Sequence, residues 1–248
     1  MIQKEDAVAA PGKGGFARLR SVIVESGYLG ITRRILRKIG RISADKYNAL
    51  EARFFDLLHG TDTVGIIPIS KLDVEGEIAL HGTGYQCTNA WAFRKVLRSI
   101  GFPKSSTFVD IGSGKGKLLL LAAEYGFRHV VGIEISRQLC EVAEKNVARY
   151  EGKIDRDLKV RIDQMDALDY QFEDDESVFC MFNPFDEVFL GHMLKNIQES
   201  LKRKPRNAWV IYVNPQHRKV VEDNPGFVEL REFKFIGETR TIVVYSAT

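Results

Sequence analysis

Cysteine, histidine clusters and long apolar runs are all scarce in this 248-residue chain, and each scarcity excludes something. The three cysteines, Cys87, Cys140 and Cys180, are odd in number and far apart, which argues against a disulfide framework or a zinc site. They read as small apolar residues in a reducing cytoplasm, so a cytoplasmic protein is expected. Five scattered histidines form no His-x-x-x-His pair, and no protein-bound metal is expected. No run reaches about eighteen apolar residues, so no transmembrane segment is expected. Residues 1–15 are polar, small and glycine-bearing, without the apolar centre of a signal peptide. A disordered tail is expected over 1–14. There are no internal repeats.

An excess of positive charge is confined to one end. Residues 1–50 hold ten Lys/Arg against four Asp/Glu, although the whole chain has a net charge of only +3. The basic excess therefore belongs to an N-terminal extension. Helices are expected over 16–26 and 31–42, the second with Ile31, Ile35, Ile39 and Ile42 on one face and Arg33, Arg34, Arg37, Lys38 and Arg41 around the rest. Ser43 reads as the N-cap of a third helix with Tyr47, Leu50, Phe54, Leu57 and Leu58 as its apolar stripe, ended by Gly60. Residues 31–41 could contact nucleic acid or an anionic membrane, or could form a cap with a solvated basic face. The organisation expected is a tail (1–14), a basic helical extension (15–60), a cap segment and helix (61–104) and a sheet domain (105–248).

Residues 61–78 lack helical periodicity and suggest a short hairpin or irregular strands. Thr88 or Asn89 can cap a helix over 90–100 with Phe93, Val96, Leu97 and Ile100 inward, stopped by Gly101 and Pro103. Strands and helices then alternate. The strands are expected at 107–110, 129–134, 158–162, 178–182 and 209–213, with two β-rich runs, 227–235 and 241–245, joined by a loop holding Gly237. Ser136 opens a helix that buries Leu139, Val142, Ala143 and Val147. A later helix buries Phe189, Met193, Leu194, Ile197 and Leu201, and Asp186 is either its N-cap, the favoured reading, or a proton acceptor. The pattern predicts an α/β fold, parallel through its βαβ crossovers and closed by an antiparallel hairpin.

The most informative stretch is Phe108-Val109-Asp110-Ile111-Gly112-Ser113-Gly114-Lys115-Gly116, a strand ending in an acid and then a glycine turn before an apolar helix. Glycines let the backbone approach a nucleotide-like ligand, because no Cβ intervenes. The third glycine comes one residue too early for a dinucleotide fingerprint. Leu118 after Gly116-Lys117, with Ile111 at the first glycine's place, excludes a P-loop. Glu134 ends the next strand at about the interval where an acid meets a bound ribose.

The Gly-x-Gly-x-Gly turn with these acids resembles motif I and its sequel in class I S-adenosylmethionine-dependent methyltransferases, over residues 85–248. The resemblance is nearest to bacterial members of unassigned substrate with Gly-Ser-Gly-Lys-Gly and Asn-Pro-Phe motifs, and extends more loosely to the non-SET lysine methyltransferases. It implies a seven-stranded, mostly parallel Rossmann-like sheet with a terminal antiparallel hairpin, plus the N-terminal helical extension, and S-adenosyl-L-methionine as cofactor. It assigns Asp110, Gly112, Ser113, Gly114 and Gly116 to the methionine end and glycine turn, Glu134 to the ribose, and Asp166 with Ala167 to the adenine.

The resemblance further implies that Phe182-Asn183-Pro184-Phe185-Asp186 is a variant of the Asn-Pro-Pro-Tyr/Phe motif of amino and amide methyltransferases. Asn183 would accept from the substrate nitrogen, Pro184 would make the rigid turn and Phe185 would stack on the substrate. One proline replaces two, so the ring's register differs. Gly82-Thr83-Gly84-Tyr85-Gln86-Cys87-Thr88 is similar to a segment that folds over the methionine end in several methyltransferases. There Tyr85 would face the sulfonium and Thr88 would donate to the methionine carboxylate. A tyrosine that simply plugs the loop is the alternative. The expected reaction is methylation of a nitrogen on a protein or other macromolecule. Oxygen methylation of a small molecule or sugar, and a basic nucleic-acid- or membrane-binding module, are the other readings.

Overall fold

The computed structural model describes residues 44–248 except 77, 152–156, 184 and 236–239. The expected tail, the two basic helices with residues 31–41, the Ser43 cap, Pro184 and the Gly237 loop lie outside the described residues. The order of elements is α1 (Ala44–His59), β1 (Ile66–Ile67), a 3₁₀ turn (Ile69–Lys71), α2 (Ile78–His81), β2 (Tyr85–Gln86) and α3 (Ala90–Ile100). There follow β3 (Thr107–Ile111), α4 (Lys117–Tyr125), β4 (His129–Glu134), α5 (Arg137–Glu151), β5 (Lys159–Gln164) and β6 (Glu176–Phe182). The chain closes with α6 (Glu187–Arg203), β7 (Ala208–Val213), α7 (Arg218–Glu222), β8 (Phe227–Phe233) and β9 (Ile242–Ala247).

Seven strands form one sheet in the order β5-β4-β3-β6-β7-β9-β8. Strands β3 to β7 run parallel, and β9 lies antiparallel between β7 and β8. The central strands are buried along nearly their whole length because helices cover both faces, with only His129 exposed and Phe182 half-buried at their ends, so their residues need no polar alternation. Two apolar clusters fill the layers. One is centred on Phe179, Leu190, Met193 and Tyr245, the other on Phe93, Phe108, Leu119 and Phe127. The order of the chain reverses at β3, with β4 and β5 to one side and β6 and β7 to the other. Ligands of open α/β sheets bind beyond the carboxyl ends of the strands at such a reversal.

Capping explains where helices start. Asn89 accepts from the Ala92 N–H, and Gly101 closes α3 in the left-handed conformation. Asp186 accepts from Val188 and Phe189 and opens α6.

Three expectations are corrected. The buried face of α1 is Asn48, Glu51, Ala52 and Phe55, while Leu50 and Leu57 are exposed. Polar residues occupy the inner face because their partners lie on α3 and α4, which periodicity cannot register. Of the two alternatives for 61–78, a hairpin within the segment is not formed: it holds the short strand Ile66–Ile67, which pairs with Tyr85–Gln86 beyond it. Strand β5 runs to Gln164 and β6 begins at Glu176, where ladder pairing extends past the apolar runs. The short helix α7 has too few residues to show a period. No helix among the described residues is long and apolar enough to cross a membrane.

Candidate active site

A cleft of about 880 Å³, its open mouth included, lies beyond the carboxyl ends of β3 and β4. Its floor is Asp110, Gly112, Ser113 and Gly114, one wall is Ile133 to Ile135 with Met165 and Ala167, and the other is Gly82 to Thr88 with Phe182 and Phe185. Each part is held by hydrogen bonds that the sequence makes possible.

The glycine turn hangs on β4. Gly112 and Ser113 donate to the Ile133 carbonyl at 2.9 and 3.0 Å. Gly114 donates to Glu134 Oε2 at 2.8 Å, and Ser136 donates to Oε1 at 2.9 Å. Gly114 sits at φ 54°, and a Cβ there would run into the Tyr85 ring. Gly116, at φ 78°, would place a Cβ 3.1 Å from Ala143 Cβ on α5. Gly116 thus serves helix packing and does not line the cleft, whereas Gly112 and Gly114 do.

The acids differ in how they are satisfied. Glu134 is buried with one backbone donor on each oxygen, which leaves further lone pairs for a ligand hydroxyl. Burial raises its pKa, and the backbone donors oppose that rise. Asp110 is 2 % exposed, and among the described residues its carboxylate has no recorded donor. Burial, reinforced by the Glu134 charge, pushes its pKa well above the ordinary carboxylate range. A buried carboxylate without a donor is costly, and a cationic ligand group is what would offset that cost. The Ser113 hydroxyl is buried and, among the described residues, has no hydrogen-bond partner. These orphaned groups fit the amino-acid end of S-adenosylmethionine. Asp166 turns its carboxylate to the Leu168 N–H at 2.8 Å, and its neighbours Met165 and Ala167 form the wall.

The cap segment is pinned over the turn. Lys115 Nζ reaches Asp62 at 2.9 Å and the Val64 carbonyl at 3.0 Å. Asn146, fully buried on α5, bridges Asp62 and Lys115. Tyr85 donates to the Thr63 carbonyl and packs on Gly114, with burial raising its pKa well above the phenol range. Thr88 is buried and lines the cleft.

Past β6, Asn183 takes φ 39°. Its Oδ1 accepts from the Tyr212 hydroxyl at 2.9 Å, and its carbonyl accepts from Thr83 Oγ1 at 2.8 Å. Phe185 is buried against Phe189 and bridges Gly82. The structure therefore brings Asp110, Gly112, Ser113, Gly114, Glu134, Ala167, Tyr85, Thr88 and Phe185 to one cleft. Asn183 is attached just behind Phe185, and Gly116 and Asp166 lie outside the lining.

Sequence reasoning missed Lys117, which lines the cleft and is almost fully buried. Its Nζ pairs with Glu51 at 3.3 Å over the Phe55 ring, and Glu51 also accepts from the Ala90 N–H at 3.2 Å. A signal existed, since a lysine opening a helix whose next six residues are apolar needs a buried partner. No local signal marked the contact of His81 with Asp186 described below.

Residues 108–204 match the family described as "Methyltransferase domain". A curated relative, ribosomal protein L11 methyltransferase of Rhodopseudomonas palustris, is 33 % identical over 144 residues, 56 % of this chain and 44 % of the relative. The chain thus spans less than half the length of that protein. The fold is similar to that of yhhF from Escherichia coli, provisionally assigned as a methyltransferase (16 % identity, TM-score 0.52, 74 % of this chain and 98 % of that one). It is also similar to that of a Pyrococcus horikoshii protein with a provisional RNA-methyltransferase assignment (18 %, 0.50, 73 % and 94 %).

Proposed function

We propose that this chain is an S-adenosylmethionine-dependent methyltransferase whose acceptor is a nitrogen on a protein or other macromolecule. The matched methyltransferase domain and the class I Rossmann-like sheet support the enzyme class and its methyl donor. The observation that carries the reading is Asp110, a buried carboxylate without a recorded donor among the described residues, beside Glu134 at the reversal of the sheet.

S-adenosylmethionine, when bound, supplies a methyl group on a cationic sulfur. Asp110 would take the methionine ammonium, Thr88 the carboxylate, Glu134 the ribose hydroxyls, and Ala167 with Asp166 the adenine. Gly112 and Gly114 leave room for close backbone approach. Tyr85 and Phe185 would close the cleft against water, and Asn183, whose Oδ1 already accepts from Tyr212, would receive a second hydrogen bond from an acceptor nitrogen. Alignment of the acceptor with the methyl group is the main contribution such a site makes. The macromolecular acceptor draws support from the name of the L11 relative, which specifies a protein.

Two measurements test the reading. Calorimetry should show S-adenosylmethionine binding at about micromolar affinity, near −8 kcal/mol. Tritiated methyl transfer into lysate should then label the protein or nucleic-acid fraction. Label in small molecules would favour the oxygen-methylating alternative, and absence of binding would overturn the class.

A further inference from the structure

Two titratable groups next in sequence to the cleft-lining residues Gly82 and Phe185 are unused by donor binding. His81, the last residue of α2, and Asp186, the N-cap of α6, are 105 residues apart in the chain, yet Nδ1 lies 2.5 Å from Oδ2. The backbone holds them together as well. The Asp186 N–H donates to the His81 carbonyl at 3.0 Å, and their neighbours Gly82 and Phe185 are bridged. The imidazole stands edge-on to Phe189 with centroids 4.5 Å apart, so the plane of the ring is fixed. Capping of Val188 and Phe189 uses Oδ1, which leaves Oδ2 to the imidazole.

The hydrogen bond from His81, helped by the Phe189 N–H, lowers the pKa of the Asp186 carboxyl. As an ionised acceptor, Asp186 requires the proton on Nδ1 and leaves the Nε2 lone pair available. Nε2 has no recorded partner among the described residues, and the side chain keeps 37 % of its surface. Gly82 and Phe185, flanking His81 and Asp186, both line the cleft.

We propose that His81 is the general base that deprotonates an amine acceptor, and that Asp186 is the positioning residue that fixes its tautomer. The proposal rests on the methyl-transfer reading above. A lysine-like amine with a pKa near about 10.4 is almost entirely protonated at neutral pH and has no lone pair to offer. His81 Nε2 takes one proton from it. The electrons of the broken N–H bond remain on nitrogen as the lone pair, and the proton leaves to solvent through the exposed edge of the ring.

The first test needs no donor. Nitrogen NMR of the full chain should find neutral His81 in the Nδ1–H form, whereas an Nε2–H form would overturn the dyad. Asp186→Asn, which keeps a capping oxygen, should shift that tautomer balance. The second test follows tritiated methyl transfer to the lysate protein fraction. His81→Gln should lose about 10²- to 10⁴-fold in rate with S-adenosylmethionine affinity by calorimetry unchanged, and imidazole in the buffer should restore part of the rate to His81→Ala. A His81→Gln protein that binds the donor and transfers at the wild-type rate would overturn the base and leave the methyltransferase reading standing. A wild type that binds the donor but labels nothing would bring down the transfer reading, and the base with it.

Discussion

A buried carboxylate with no donor destabilises the fold that holds it, and among the described residues no donor to Asp110 is recorded. Its raised pKa expresses that cost. Asp110→Asn removes the charge while keeping the shape, so the ligand-free protein should gain about 1–3 kcal/mol, or roughly 2–4 °C in melting temperature per kcal/mol. The same variant should lose most of the thermal shift that S-adenosylmethionine gives the wild type. Differential scanning fluorimetry with and without the donor checks both halves. An unchanged shift would remove Asp110 from the site. Much of the candidate site was legible at this scale, since Asp110, Gly112, Gly114 and Glu134 sit in one local pattern of strand, turn and strand. His81 was not, because its partner is 105 residues away and no local pattern joins them.

Between elements, the pair Lys117–Glu51 ties α4 to α1, with side chains 3 % and 2 % exposed. Glu51 also satisfies the Ala90 N–H at the start of α3. Removing one member of a buried pair strands the other charge, which costs about 3–5 kcal/mol, whereas an apolar replacement of both is often neutral. Glu51→Ala should therefore lower stability by about that amount, and Glu51→Leu with Lys117→Met should recover most of it, less the orphaned Ala90 N–H. Urea unfolding of the single and double variants closes the cycle, and additive losses would refute the coupling. The same pair explains why the inner face of α1 departs from its apolar stripe. Its inner face carries Asn48 and Glu51, whose partners Asn89, Ala90 and Lys117 lie far along the chain. The inner face of α6 is legible because it is apolar except for Ser200. The strands β3, β4, β6 and β7 are legible because burial on both faces leaves nearly continuous apolar runs. Strand ends are not, since ladder pairing extends into polar residues such as Glu176.

For the whole molecule, the sheet that creates the cleft also sets the response to pH. Three carboxyls buried at or near β3, β4 and β6, namely Asp110, Glu134 and Glu176, all have raised pKa values. Glu176 is pushed up from 4.5 to about 7 by burial, opposed by donors from Tyr170 and the Glu173 N–H. A carboxyl raised in the folded state contributes stability that is full below its unfolded pKa and is lost as pH rises through the folded one. For Glu176 that window runs from 4.5 to about 7, and the size is on the order of 3 kcal/mol at 1.36 kcal/mol per unit. The lowered carboxyls Asp73 and Asp186 act in the opposite sense, but below their ordinary 3.8. The urea midpoint of the ligand-free protein should therefore fall between pH 5 and pH 8. Glu176→Gln can accept from the Glu173 N–H and donate to the Tyr170 oxygen, so it should flatten most of that fall. The donor should restore part of the loss at pH 8 through the ionised Asp110, in wild type and Glu176→Gln alike. A midpoint that rises with pH over this range would show that these carboxyls ionise freely and that the sheet edge is wetter than its burial implies.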